Sequence, residues 1–414
     1  MNDLGRILPV AAVIATVLLV VGRRLLSARD RPWWVWAVLD SPMVAAVSGM
    51  LLAFAAPAWV AAPAREILHP ALLFLTGWVA LEIGCGLDLR VMRRSAGLPF
   101  LNETVTTLLT TMAVFVAAYA GSRLLPPTPL PAALLVLAGI CVAGPALPGG
   151  GISLTRGSGR GGFWNPSAAA ALAVLLAAVG GAFYPWPVVE TVIPFWDVPF
   201  LVEIESVPGR LLWAIGAGCV AGFVADLSTR EDFAPGGLYP QLAAVVLTAT
   251  GIAAAVGLEV LLVGMLAGFW LVSATLRRLD ILHVLERGAA LPRLLAPFLA
   301  GWLVGDGLRA PGIDVAAFAL ILVLVLLLRP ASRVLGRRVG PMGQQVVRRR
   351  RPEPLSGTLV EIDELGILLA VLLTRLLEPA AGIGAMAAVL LAKWLLGIGA
   401  RAWDQRQAGQ RSET

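Results

Sequence analysis

The chain is poor in charge and in the side chains that build catalytic or metal sites. Only 14% of its 414 residues are charged, and it holds two His and three Cys. With 58% hydrophobic residues, the composition excludes an ordinary water-soluble globule. The three cysteines show neither metal-ligand nor disulfide spacing. No nucleophile or His/carboxylate constellation is visible, so an enzyme ranks last among the functions considered, and no cofactor site is expected.

Long apolar stretches fill most of the chain instead. They predict an all-α polytopic membrane protein, because most approach the ~20 residues that cross a bilayer as a helix and they lack strand alternation. We number thirteen such spans, near residues 7–22, 42–62, 67–87, 104–122, 130–150, 164–185, 211–226, 238–256, 258–275, 294–305, 312–328, 358–374 and 380–400. The predicted division is a first span with its cytoplasmic loop (1–41), a transmembrane domain (42–400) and a cytoplasmic tail (401–414).

Basic residues fall on alternate sides of these spans. The connectors after odd-numbered spans, with the tail, carry 25 of the 32 basic residues, and the N-terminus and the other connectors carry five. Cytoplasmic loops of membrane proteins collect Arg and Lys. The split predicts a multi-pass protein of the inner (plasma) membrane, with its N-terminus outside and its C-terminus in the cytoplasm. Because the Arg residues are spread over many short loops, a nucleic-acid partner is not expected.

The connector 329–357 is the most basic of these loops. It contains the run Arg348, Arg349, Arg350 and Arg351. Such a run beside the cytoplasmic leaflet predicts binding of anionic lipid, at ~1 kcal/mol per near-surface Arg. A topology anchor alone is the other interpretation, and both can hold together.

Span five contains the clearest interruption of a predicted helix. Between Cys141 and Gly151 the sequence holds two prolines and four glycines, Gly144-Pro145 among them. Proline removes backbone donors and glycine permits an unwound path. One interpretation is a discontinuous helix of a secondary transporter, whose exposed backbone ends bind substrate. The other is a span that ends at Gly144 and enters a loop. Span six then begins with Asn165-Pro166-Ser167, an ordinary helix start.

Acidic residues inside the predicted spans are few. Glu82 lies deepest, in span three, and is the strongest functional candidate by depth, with a partnered polar anchor as the alternative. Glu364 opens span twelve, where negative charge at a helix N-terminus is favourable without any transport role. Glu259 joins spans eight and nine and is expected to face the outside interface.

Three segments, taken in order, resemble the cation:proton antiporter superfamily, the sodium/proton exchangers. They are Phe74–Gly77 with Leu81–Arg90 in span three, Gly257–Phe269 across spans eight and nine, and Leu294–Phe298 with Gly301 and Gly305 in span ten. The resemblance covers roughly residues 40 to 400. It implies two inverted repeats, a core in which spans five and twelve are broken and crossed, a homodimer, and a monovalent cation or proton as the transported species.

The chain departs from this pattern at the ion site. Where the family carries Thr-Asp-Pro or Thr-Ser-Pro, this sequence has Ala143-Gly144-Pro145, and Asn165-Pro166 stands in place of the family's aspartate pair. The family's basic residue inside span ten or eleven is also expected to be missing, because Arg329 follows span eleven. Sodium/proton and potassium/proton exchange are therefore expected to be weak or absent.

We therefore predict a secondary transporter with an atypical, non-aspartate site. Protons and cations remain candidates if Glu82 or Glu364 substitutes for the lost aspartate, and a solute held by backbone groups, Asn165 and Ser167 fits equally. The candidate path residues are Glu82, Gly144, Pro145, Asn165, Ser167 and Glu364. The alternative is a transport-inactive relative that serves as a partner subunit or sensor.

Overall fold

The part of the chain described by the computed structural model is all α-helical. It comprises residues 41–56, 58–87, 98–120, 130–143, 166–183, 206–230, 235–275, 277–288, 290–309, 312–339 and 362–412. Within these residues the helices are α1 (Ser41–Ala55), α2 (Ala58–Gly86), α3 (Leu98–Ala120), α4 (Leu130–Val142), α5 (Pro166–Phe183), α6 (Val207–Thr229), α7 (Pro235–Ala255), α8 (Val260–Ala274), α9 (Arg278–Gly288), α10 (Ala290–Gly307), α11 (Val315–Val339), α12 (Glu364–Leu376) and α13 (Pro379–Ser412).

Each predicted span from two to thirteen contains one of these helices, which confirms the all-α architecture. Span one lies outside the described residues, as do Arg348, Arg349, Arg350 and Arg351. By length and apolar composition, three described helices can cross a membrane, at Val207–Thr229, Gly237–Ala255 and Pro379–Ala400. Most of the remaining helices are shorter apolar segments.

Two helix pairs are packed through glycine, backbone against backbone. Gly301 and Gly305 of α10 lie so close to the Ala46 and Met50 carbonyls of α1 that a Cβ at either glycine would overlap those oxygens. The spacing of four residues repeats on one helix face and allows such an approach. It joins α1 to α10 over most of their length.

The second pair repeats the arrangement with α2 and α8. Gly264 and Gly268 of α8 face the Gly77 and Leu81 carbonyls of α2, and Gly84 of α2 faces the Met265 carbonyl. Both pairs, α1 with α10 and α2 with α8, thus join a helix from the N-terminal part of the chain to one from the C-terminal part.

A further group of helices carries two short members. α4 packs on α5, α12 packs on α13, and α4 and α12 contact each other. Both α4 and α12 have 13 residues, a length of about 20 Å, while a bilayer core is ~30 Å thick. The described helices of spans five and twelve are therefore each shorter than a continuous span.

The structure corrects several predicted boundaries. Span eleven was expected to end at Leu328, but α11 continues to Val339 through Arg329 and Pro330. Span thirteen was expected to end at residue 400, and α13 extends as a helix to Ser412; that 401–414 forms a cytoplasmic tail stays a prediction. The connector after span nine contains α9, an 11-residue helix that the apolar pattern did not reveal.

Candidate functional site

The C-terminal end of α4 is held by a buried arginine. α4 ends at Val142, and Ala143 already lies outside the helix. Arg329 of α11 is 0% exposed, and its guanidinium donates a hydrogen bond of 2.7 Å to the Ile140 carbonyl. The last carbonyls of a helix have no intrahelical partner and carry partial negative charge. Arg329 thus stabilises a helix end where the predicted break of span five begins.

This position of Arg329 corrects the expectation that a basic residue is missing from span eleven. The residue lies in the middle of α11 and points into the core. Arg329 is one of the 25 basic residues assigned to cytoplasmic connectors by the apolar pattern, and the structure places it inside a helix and buried.

The N-terminal end of α12 is contacted by a second cation. Asp363 precedes the helix in an extended conformation, and Glu364 occupies the first turn. The Lys393 ammonium of α13 donates a hydrogen bond to the Ile362 carbonyl, just upstream of α12. A basic side chain thus donates to a backbone carbonyl at one end of each short helix.

Glu82 is buried in α2 and is hydrogen-bonded. It is 4% exposed, and the Trp78 indole Nε1 donates a bond of 2.6 Å to its Oε1. Trp78 lies one turn earlier on the same helix, where positions i and i+4 are neighbours. The sequence suggested Asp88 and Arg90 as partners of Glu82, and both lie outside the described residues. Whether Glu82 is a polar anchor or a transport group stays a prediction.

Glu82 lies on α2, which contacts both α12, the helix of Glu364, and α10, the helix of Arg293. The charges of Glu364 and Arg293 both act on Glu82. Arg293 Nε lies 4.0 Å from Glu364 Oε1, and the two side chains are 46% and 19% exposed. We call Glu82, Glu364 and Arg293 the carboxylate cluster. The exposed fraction of the side chain increases from Glu82 through Glu364 to Arg293.

A second group of charges lies at the C-terminal end of α5. Glu259 was expected at the outside interface, but it is only 6% exposed, and its carboxylate covers Gly181 so closely that a Cβ there would overlap it. Arg375, in the last turn of α12, interacts electrostatically with Glu259. Arg210 donates a bond of 3.0 Å to the adjacent Ala182 carbonyl.

Other predicted path residues fall partly or wholly outside the described structure. Gly144, Pro145 and Asn165 are not described, and Ser167 is described only as part of the first turn of α5. Their relation to Glu82 and Glu364 therefore stays a prediction. Thr107 of α3 is 5% exposed, and its hydroxyl has no hydrogen-bond partner within the described part of the chain.

Comparisons with known proteins bear on the fold. No protein-family model matches the chain, and no curated protein matches it. Among solved structures, the chain is similar to the sodium proton antiporter MjNhaP1 from Methanocaldococcus jannaschii at pH 8. The two sequences are 15% identical, the match covers 95% of this chain and 97% of that chain, and the TM-score is 0.55. The described helices therefore share the fold of an antiporter structure, as the order of the spans predicted.

Proposed function

We propose that this chain is an integral membrane secondary transporter of the cation:proton antiporter fold, in which Glu82 takes the place of an ion-site aspartate. The proton, or a monovalent cation in exchange for it, is the transported species. Glu82 binds and releases the proton, and Glu364 with Arg293 forms the route between Glu82 and the surface. The excess of Arg in the connectors after odd-numbered spans assigns this route to the cytoplasmic side.

The observation that carries the proposal is the carboxylate cluster beside an interrupted helix. Glu82 is buried, while its electrostatic partners Glu364 and Arg293 are increasingly exposed. An ionisable residue inside a membrane domain is costly and marks an ion or proton path. Because Glu364 belongs to the short helix α12, movement of α12 changes the surroundings of Glu82.

The basic side chains at the two interrupted ends support the same proposal. Arg329 on the Ile140 carbonyl and Lys393 on the Ile362 carbonyl compensate backbone groups that a continuous helix would satisfy itself. Discontinuous helices whose free ends are stabilised in this way surround substrate sites in transporters. An inert scaffold would gain nothing from two such interruptions.

The transport-inactive alternative rests on a different observation. The described parts of spans five and six, residues 130–143 and 166–183, contain no Asp, Glu or His. A partner subunit or sensor with this fold would need no titratable group there. We infer for either function a homodimer in the plasma membrane, with anionic lipid on the run Arg348 to Arg351.

Flux by purified protein in liposomes tests the proposal. A pH-sensitive dye is enclosed, and a gradient of Na⁺ or K⁺ is applied to liposomes with wild-type protein, Glu82→Gln or no protein. We expect slow proton movement with the wild type and none above the protein-free rate with Glu82→Gln. Glutamine keeps the size and the acceptor for Trp78 but cannot ionise, so the loss reports the proton-binding group.

Asp226→Asn is the matched control. Asp226 is also buried, at 2% exposure, but it lies on α6 and pairs with the exposed Arg230 at 2.8 Å. This variant is expected to keep the wild-type flux. Exchange that survives in Glu82→Gln would remove Glu82 from the mechanism, and Glu364 would be tested next. A wild-type rate equal to that of protein-free liposomes for both cations would favour the transport-inactive alternative.

A further inference from the structure

Trp78 links the buried carboxyl group of Glu82 to a surface helix. Its indole is 1% exposed, and one edge carries the Nε1 that donates to Glu82. Trp78 also packs in a hydrophobic cluster with Ile281 and Leu285 of α9. One side chain therefore contacts the candidate proton-binding group and the helix that the apolar pattern did not reveal.

The end of α9 rests on the indole ring. A Cβ built at Gly288 would lie 2.8 Å from Cζ2 of Trp78 and 2.8 Å from Cε2 of Tyr239. The rings of Trp78 and Tyr239 have their centres 5.3 Å apart, a distance typical of interacting aromatic pairs. Only a residue without a side chain fits between this ring pair and the end of α9.

The opposite face of α9 is exposed and carries Leu279 beside the polar Asp280 and His283. His283 is exposed, and Arg277 pairs with Asp280 at 3.3 Å with half of the Asp280 side chain accessible. The helix lies in the connector after span nine. The excess of Arg in the connectors after odd-numbered spans assigns this connector to the cytoplasmic side. One face of α9 thus packs in the hydrophobic cluster that contains Trp78, and the other face is directed toward the aqueous phase.

We propose that Trp78 is a positioning residue for Glu82, and that α9 holds the indole in place, so that displacement of α9 changes how firmly Glu82 binds a proton. The inference deepens the proposed function and rests on it for the role of Glu82. Hydrogen bonds to a carboxylate stabilise its charged form. When the Trp78 N–H moves away, Glu82 keeps its proton to a higher pH.

The other groups that face Glu82 act through charge. They are Glu364 on α12 and Arg293 on α10, while the buried Cys85 of α2 bonds to the Gly268 carbonyl. The heavy atoms nearest to a Cβ built at Gly288 belong to Trp78 and Tyr239. A change at Gly288 therefore reaches Glu82 through Trp78.

Infrared pH titration of the purified full-length protein in lipid tests the inference. The C=O stretch of protonated Glu82 is identified as the band that Glu82→Gln lacks, and its midpoint is measured in each variant. Trp78→Phe keeps a ring but removes the donor, and its midpoint is expected to move about one pH unit upward, the size of one hydrogen bond to a charged group. Gly288→Ala pushes on the ring and is expected to move it in the same direction by less.

Gly251→Ala is the matched control. Gly251 is a helical glycine of α7 with nothing within 4 Å of an added Cβ, so its midpoint is expected to equal that of the wild type. An unchanged midpoint in Trp78→Phe, or the absence of any Glu82 band at pH values where the protein stays folded, would overturn the inference. If Trp78→Phe does not fold, Gly288→Ala decides, and a midpoint equal to that of Gly251→Ala counts against the inference.

This readout separates the inference from the proposed function. The spectra need no transport, so a shifted midpoint in a protein without flux would uphold the role of Trp78 and remove the transporter. Flux that depends on Glu82, together with an unshifted midpoint in the variants, would uphold the transporter and remove the role of Trp78.

Discussion

Arg329 shows at the residue scale how a charge deep in a helical membrane protein is accommodated. Burying an unpaired guanidinium is costly, yet this side chain is 0% exposed and donates to the end of α4. The interaction gives the Ile140 carbonyl, at the end of α4, a donor that the helix itself does not supply. Removing the guanidinium leaves this carbonyl without that donor.

Arg329→Ala is therefore expected to destabilise the protein strongly. The variant leaves the Ile140 carbonyl without its donor and opens a cavity, at a cost of about 2–4 kcal/mol. Thermal unfolding in detergent should show a melting temperature several degrees lower. Arg277→Ala, which removes a surface pair with Asp280 at 3.3 Å, should change it little, because such pairs contribute ~1 kcal/mol or less. Equal melting temperatures for the two variants would contradict the assigned role of Arg329.

At the scale of helices, the sequence predicted the elements well and their ends less well. Runs of apolar residues identified every described span from two to thirteen. Arg329-Pro330 looked like a helix stop, because a basic residue followed by proline usually ends a helix. α11 instead continues to Val339 with Pro330 inside it. Proline costs one backbone hydrogen bond, which long helices in membrane proteins tolerate.

Two parts of the candidate site depend on tertiary contacts that no local pattern contains. α9 is short and mixes apolar with charged residues, so a search for apolar runs passes over its Ile281 and Leu285, which are spaced four residues apart on one face. Glu259 looked exposed because it follows a turn at Gly257, where φ is +73°. Its burial comes from Gly181 of α5, which lies 78 positions earlier in the chain. The depth of Glu82, by contrast, followed from its place in span three.

Glycine packing between α2 and α8 gives a prediction at this scale. A Cβ at Gly84 would overlap the Met265 carbonyl oxygen, which belongs to backbone and cannot rotate away. Gly84→Ala should therefore separate the helices and lower the melting temperature markedly, with a cost of about 1–3 kcal/mol or more. Gly251→Ala adds the same methyl group in open space and should be neutral or stabilising by up to about 1 kcal/mol. If Gly84→Ala were as stable as Gly251→Ala, the close approach of α2 and α8 would be wrong.

At the scale of the whole molecule, the helix pairs α1–α10 and α2–α8 link the N-terminal part of the chain to the C-terminal part. The short helices α4 and α12 lie in the other group of helices and contact each other. The carboxylate cluster joins the two groups, because Glu82 and Arg293 belong to α2 and α10 and Glu364 belongs to α12. Relative movement of the groups would change this cluster first, which is the physical basis of the proposed transport cycle.

The central claim is that spans five and twelve are interrupted and cross beside Glu82. A cryo-electron microscopy structure of the purified protein in lipid nanodiscs tests it most directly, since it would trace residues 144–151 and 352–361 together with the helix ends at Val142 and Glu364. We expect two extended segments that cross near the middle of the membrane. Arg329 and Lys393 should donate to the Ile140 and Ile362 carbonyls beside these segments. Two continuous, uncrossed helices through these segments would contradict the account.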